Sequence, residues 1–244
     1  MGGPRILVVE DADELGRVGA SLVIEVISKT PTTSIVAATG RTPMKLYETL
    51  AARRRAGLLE TTPVTAVQLD EYVGLEPGDR RSLFGWMRRS FLEPLGVSDE
   101  RVIRLPLDGE LDEACAAFDR GLEARGPLDL AILGLGPNGH LGFNEPPSGP
   151  ESPTRVVELS PITIKANAAY WGDGADVPET AVTMGMRHLL SARTIVLLVS
   201  GASKRSIVHH ALEDPIGPDV PASFLREADG EVTVVVDRAA WGDR

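Results

Sequence analysis

The sequence predicts an α/β fold: a single domain over residues 1–244, built on a mostly parallel, doubly wound, Rossmann-like sheet with helices on both faces. Three observations predict it. Short β-branched and apolar runs alternate with longer segments whose apolar residues lie three and four apart, and strands alternating with helices in this way pair in parallel under helices on both sides. The chain is 43% hydrophobic, and at this length folding removes roughly 70–75% of the unfolded surface from water, enough for a core without disulfides or metals. Glycine- and proline-bearing turns follow several strands, at the carboxyl ends where an open parallel sheet places its chemistry.

In chain order, Ile6–Val9 is a short strand. Asp11-Ala-Asp-Glu14 opens a helix whose apolar face is Leu15, Val18, Leu22, Val23, Val26 and Ile27. Ser34–Ala38 is a buried strand, and Pro43 suits the first turn of a helix running to about Arg54. Val64–Leu69 is a strand; Ser82 caps a helix carrying Leu83, Trp86, Met87 and Phe91; Val102–Leu105 is a strand; Glu110–Arg125 is a helix; Leu130–Gly134 is a strand. Asn144–Ser160 holds Pro146, Pro147, Gly149, Pro150 and Pro153, which predict a surface loop without regular structure. Thr194–Ser200 and Val232–Asp237 are strands flanking a helix from about Ser203 to Glu213.

The net charge is −10. Polyanion binders carry a basic stripe and a pI above about 9, so nucleic acid and anionic membrane surfaces are excluded as partners. Any phosphate must be gripped locally. No apolar run approaches the ~18 residues of a membrane span, and Met1–Glu10 lacks the basic-then-apolar order of a signal peptide, so a cytoplasmic location is expected. Cys115, the one cysteine, lies in a helical pattern and reads as a small buried side chain rather than a nucleophile. His188 lies in a helix-like segment, and His209 and His210 are adjacent and point about 100° apart on a helix. No His, Cys or acid spacing suits zinc, and no metal is expected.

Three strand ends carry unusual residues. Thr39-Gly-Arg-Thr-Pro43 turns a strand into a helix N-terminus, where unpaired N–H groups and the helix dipole favour a phosphate; an ordinary βα turn would look the same. Asp70 follows a buried strand, where burial would raise its pKa toward that of a working base; the alternative is a cap or loop acid. Leu135–Pro146 brackets His140 with Gly136, Gly139 and Gly142, so backbone passes close to a ligand. Asn138 and Glu145 frame this histidine, as an oriented acid–base pair requires.

At these residues the chain resembles the glucosamine-6-phosphate deaminase family, which shares its fold with the 6-phosphogluconolactonases. Leu69-Asp-Glu-Tyr-Val-Gly-Leu75 and Gly139-His-Leu-Gly-Phe-Asn-Glu-Pro146 match the deaminase branch, and the similarity runs to the final strand. The resemblance implies isomerisation and deamination of an amino-sugar 6-phosphate, glucosamine 6-phosphate and water giving fructose 6-phosphate and ammonia, with no metal or organic cofactor. It assigns Asp70 as the base between C2 and C1, His140 as the ring-opening acid–base, and Asn138 and Glu145 as its support. Thr39, Gly40, Arg41 and Thr42 match the phosphate-binding turn, Lys204 a lysine on the same phosphate, and Gly136 a ligand-contacting glycine. Arg155 matches a residue that in some relatives binds an allosteric activator; Val157 stands where its basic partner would be, which implies hyperbolic kinetics.

Two further departures concern the phosphate. Arg41 replaces a small residue, and Ala169 stands where the deaminases carry a phosphate-binding arginine, so Arg41 is expected to supply the missing charge. A lactone hydrolase, a galactosamine-6-phosphate deaminase and a non-catalytic sugar-phosphate sensor are the alternatives, and a homo-oligomer is allowed.

Overall fold

Asp11 starts the first helix as its sequence demands, accepting a hydrogen bond from the Glu14 N–H at 2.8 Å. The computed structural model describes residues 3–76, 78–171 and 176–242, apart from the side chain of residue 169. In chain order the first half comprises β1 (Arg5–Val9), α1 (Ala12–Lys29), β2 (Thr33–Ala37), α2 (Met44–Arg55), β3 (Val64–Val67) and β4 (Asp70–Tyr72). There follow α3 (Leu83–Met87), a π turn (Arg88–Leu92), α4 (Glu93–Leu95), β5 (Val102–Ile103), α5 (Leu111–Glu123) and β6 (Leu130–Gly134). The second half adds β7 (Arg155–Glu158), α6 (Pro161–Trp171), β8 (Thr180–Thr183), α7 (Met186–Leu190) and β9 (Thr194–Val199). Last come α8 (Arg205–Glu213), β10 (Glu231–Asp237) and α9 (Arg238–Trp241).

The seven strands expected from the sequence form one parallel sheet, in the order β1-β10-β9-β6-β2-β3-β5. The chain winds outward from β2 through β3 to β5, returns to β6 on the other side of β2, and continues through β9 to β10. The winding direction therefore switches between β2 and β6, where the connections above the sheet diverge and leave a crevice.

Alternating residues of each strand serve two cores. Ile35, Ala37, Leu130 and Ile132 pack against Leu15 and Leu46 on one face, while Val36, Ala131, Leu133 and Leu197 meet Leu122 and Val208 on the other. Each such fully buried aliphatic side chain contributes about 1.5–3 kcal/mol of transfer free energy, which is why these strands are apolar runs without polar alternation. Cys115 is buried, and burial pushes its thiol up to about 11, well away from thiolate chemistry at neutral pH.

A second, antiparallel sheet, β4-β8-β7, was not legible in the sequence. The strand expected over Val64–Leu69 stops at Val67, and the chain bends through Gln68 and Leu69 before β4 pairs with β8. The Gln68 side chain braces the bend, donating to the Asp70 carbonyl at 3.2 Å and accepting from the Leu105 N–H at 3.3 Å.

The expectation of a surface loop over Asn144–Ser160 is corrected. This stretch contains β7, and although Pro147, Pro150, Glu151 and Pro153 are exposed, Asn144, Glu145, Ser148 and Thr154 are buried: Asn144 is 0% exposed and donates to the carbonyls of Leu141 and Met184 at 2.9 and 2.8 Å. The prolines forbid a helix, but internally paired polar groups let an irregular segment pack inside. His188 is likewise more constrained than its segment suggests, its Nε2 lying 2.8 Å from Asp119 Oδ1 in a buried cluster that also holds Arg187. Among the described residues no helix is long and apolar enough to cross a membrane, and no group of three or more His, Cys, Asp or Glu is placed to hold a metal ion.

Candidate active site

The switch point opens into a cavity of about 560 Å³. Its floor is the end of β2. Gly40 has φ +102°, a conformation that glycine alone adopts without strain, and it turns the chain from β2 into α2. Buried Tyr47 donates its hydroxyl to the Ala38 carbonyl at 2.8 Å, tying the turn to the helix below it. The first turn of a helix carries N–H groups without intrahelical partners at the positive end of the dipole, and Thr39, Gly40, Arg41 and Thr42 all line the cavity.

Two cations extend this turn. Lys204 reaches the cavity from the short 3₁₀ turn Ala202–Lys204 that follows β9, and burial lowers its ammonium pKa. A desolvated ammonium of this kind gains most from an anionic partner. Arg41 places its guanidinium carbon 5.2 Å from the centre of the Tyr170 ring at the end of α6, a cation–π distance. The side chain of Ala169, matched above to a family arginine, lies outside the described residues; Arg41 reaches the same end of the same helix.

Asp70 stands on the opposite chemistry. It leads β4, faces the cavity, is 5% exposed, and its Oδ1 finds no hydrogen-bond partner among the described residues. Burial, with a smaller contribution from the neighbouring Glu71 charge, pushes its carboxyl up to about 7. Glu71 points away and is consumed by structure, accepting from the N–H groups of Leu83 and Phe84 at 2.9 and 2.8 Å and thereby capping α3. Adjacent acids on one strand thus take opposite faces and opposite tasks.

His140 lines the same cavity and is buried. Its Nδ1 faces Glu145 Oε2 at 3.4 Å and the Thr163 hydroxyl at 3.4 Å, which leaves Nε2 as the nitrogen for a ligand. Burial alone would raise the Glu145 pKa, but hydrogen bonds from His140, Thr163 and Asn138 outweigh it and hold the carboxyl at about 2. Glu145 also accepts from the Ser160 N–H at 3.2 Å and hydroxyl at 3.0 Å. The ring lies against Gly136 so closely that a Cβ there would stand 2.2 Å from it.

One expected contact is corrected. Asn138 does not orient His140 directly: its Nδ2 donates to Glu145 Oε2, and its Oδ1 has no partner among the described residues, so its influence on the imidazole passes through the carboxylate. Arg155, matched above to an activator-binding residue of some relatives, does not line the cavity. Its guanidinium donates to Asn144 Oδ1 at 2.9 Å and Ser148 Oγ at 2.7 Å, bracing the buried loop beside Glu145. The structure also adds cavity residues that sequence reasoning missed, among them Tyr72, whose hydroxyl accepts from Asn167 Nδ2 at 2.9 Å, and Arg80, Arg81 and Arg89. An available signal was the Arg80-Arg81 pair in an otherwise acidic chain, a few residues after Asp70.

A glycine turn at a helix N-terminus, a buried lysine, a buried aspartate and a carboxylate-backed histidine meet at the switch point of a parallel sheet, the layout of an α/β enzyme of small phosphorylated molecules. Comparison with known proteins makes this particular: the chain belongs to the family of glucosamine-6-phosphate isomerases and 6-phosphogluconolactonases, whose model matches residues 10–234. Glucosamine-6-phosphate deaminase of Rhodopirellula baltica is 39% identical over 98% of this chain and 97% of its own length, and that of Streptomyces coelicolor is 38% identical over 96% and 90%. A solved monomeric glucosamine-6-phosphate deaminase superposes with a TM-score of 0.91 at 34% identity, over 97% of this chain and 98% of its own. The 6-phosphogluconolactonase of Leishmania guyanensis reaches a TM-score of 0.76 at 22% identity over 97% of each chain, a likeness of fold.

Proposed function

We propose that this enzyme converts glucosamine 6-phosphate and water to fructose 6-phosphate and ammonia, with the phosphate on the Thr39–Thr42 turn, Arg41 and Lys204. The observation that carries the reading is the meeting of Asp70 and His140 in one cavity with that turn. His140 Nε2 takes the proton of the anomeric hydroxyl and returns a proton to the ring oxygen, opening the pyranose; the Glu145 carboxylate stabilises the transient imidazolium. Asp70 then removes the C2 proton of the aldehyde form as a proton passes from the ammonium group to O1, giving an enolamine, and returns the proton to C1, converting the amino aldose to a ketose imine. Water adds to C2 and ammonia leaves. A carboxyl that titrates near neutral pH suits this two-way transfer, because it accepts and releases a proton at comparable cost.

Relatives named glucosamine-6-phosphate deaminase at 33–39% identity favour this reaction, and an isolated carboxylate beside the histidine has no task in lactone hydrolysis. Supplying glucosamine 6-phosphate and galactosamine 6-phosphate separately, and following ammonia and ketose phosphate, tests the proposal and resolves the epimer. Absence of ammonia from both sugars overturns it, and lactone hydrolysis that survives Asp70→Asn would establish the hydrolase instead.

A further inference from the structure

We infer that the cavity contains a second anion subsite, formed by Arg80 and Arg89 beside Trp86, in addition to the turn and Lys204; this rests on the sugar-phosphate reading above. The argument begins with charge. Arg41, Arg80, Arg81, Arg89 and Lys204 all line the cavity, against the single lining acid Asp70. Arg81 is neutralised: Asp79 holds it at 2.6 Å, and its guanidinium stacks 4.6 Å from the Trp171 ring centre. The other four make no ion pair among the described residues.

Acids are not scarce in a chain with 35 of them against 25 basic residues. On the same short segment Arg88, which does not line the cavity, is paired with Asp99. On this segment the two arginines that no acid holds among the described residues, Arg80 and Arg89, are exposed and line the cavity. One phosphate monoester brings about −1.5 to −2 charges at pH 7, so a substrate with a single phosphate leaves roughly two of the four cations uncompensated.

The second site is also held in place. Arg89 Nη2 donates to the Arg80 carbonyl at 2.7 Å, and the Arg89 guanidinium lies along Gly85, where a Cβ would stand 3.2 Å from Nη1. The Arg89 guanidinium is thereby held against the backbone of Arg80, and guanidinium forks bind phosphate or carboxylate oxygens in pairs. The group recognised is an oxyanion, supplied either by a second anionic substituent on the substrate or by a free anion bound alongside it.

Calorimetric titration of the intact enzyme with inorganic phosphate, and with glucose 6-phosphate and glucose 1,6-bisphosphate as non-aminated probes, tests the subsite. Two phosphates per chain are expected, falling to one in the Arg80→Gln/Arg89→Gln double variant, with unchanged circular dichroism confirming its fold. Tenfold or tighter preference for the bisphosphate, abolished in that variant, assigns the second anion to the substrate; equal sugar affinities with two phosphate equivalents assign a free anion. One equivalent in the intact enzyme, or two surviving in the folded double variant, overturns the inference, as does loss of both, since the arginines and Lys204 would then hold one anion between them. Ammonia release is read separately, so an enzyme that binds two phosphates but never deaminates loses the function and keeps the subsite.

Discussion

The imidazole of His140 and the backbone of Gly136 are in direct contact: a methyl group at residue 136 would stand 2.2 Å from both Cδ2 and Nε2 of the ring. Gly136 is therefore half of the socket that sets the ring's attitude. Gly136→Ala is expected to swing the imidazole away from Glu145 and lower kcat by about 10²–10⁴, the usual contribution of one positioned proton transfer. Steady-state kinetics alongside a melting curve check this, and a folded variant with normal kcat contradicts it.

Asp70 couples activity to instability. Its folded pKa of about 7 lies above its ordinary value of 3.8, so the stability linked to it is fully present below pH 3.8 and is lost as pH rises through 7. Activity runs the other way, since the base form fills as pH rises through 7. The acid limb of kcat/KM should show an apparent pKa near 7, and Asp70→Asn should abolish turnover while raising Tm at pH 8 by at least about 2–4 °C, the shift that 1 kcal/mol produces at this size. A Tm at pH 8 equal to or below that of the unchanged protein would disprove the coupling.

Glu145 works with the opposite sign. Its pKa is held at about 2, below the ordinary 4.5, so its contribution to stability is present above pH 4.5 and lost as pH falls through 2. Glu145→Gln should cost stability at pH 7 and lose that difference by pH 2. It should also lower kcat by about 10²–10⁴ with little change in KM, because the missing charge supports the imidazolium formed during ring opening. Melting curves across that pH range and initial rates at pH 7 provide both readings.

Arg41 is the cation that the turn presents to the end of α6. Arg41→Ala is expected to raise KM for glucosamine 6-phosphate tenfold or more while kcat is largely kept, the pattern of an interaction made equally in ground and transition states. An unchanged KM would show that Lys204 and the backbone N–H groups suffice.

Arg155 spends its guanidinium on Asn144 and Ser148, and Val157 two residues on carries no charge. Rate against substrate should therefore be hyperbolic. Sigmoidal rates relieved by an N-acetylated sugar phosphate would reverse this conclusion.

Much of the architecture was legible in the linear pattern. The seven strands of the main sheet are apolar because both their faces are buried, so each announces itself without reference to its partners. Asp11 and Ser82 announce their helices because an N-cap is a contact within four residues. The second sheet was hidden for the converse reason: β4, β7 and β8 are three or four residues long, and their pairing depends on a bend at Gln68 and on residues 22 to 113 positions apart. Asn144–Ser160 misled in part because prolines advertise irregular surface backbone, and Pro147, Pro150 and Pro153 are indeed exposed, whereas Asn144, Glu145, Ser148 and Thr154 between them are satisfied inside.

The sequence by itself determined the parallel α/β class, the strand ends that bear chemistry, and the residue types at Asp70, His140, Glu145 and Lys204, since these follow from local periodicity and from short motifs. Only the tertiary structure decided how they act on one another. It sends Asp70 and Glu71 to opposite faces, routes Asn138 through Glu145, leaves Arg155 off the cavity lining and brings Arg80 and Arg89 into it. The physical reason is that charge, burial and hydrogen bonding depend on neighbours in space, and the switch point between β2 and β6 gathers neighbours from segments that the chain keeps far apart.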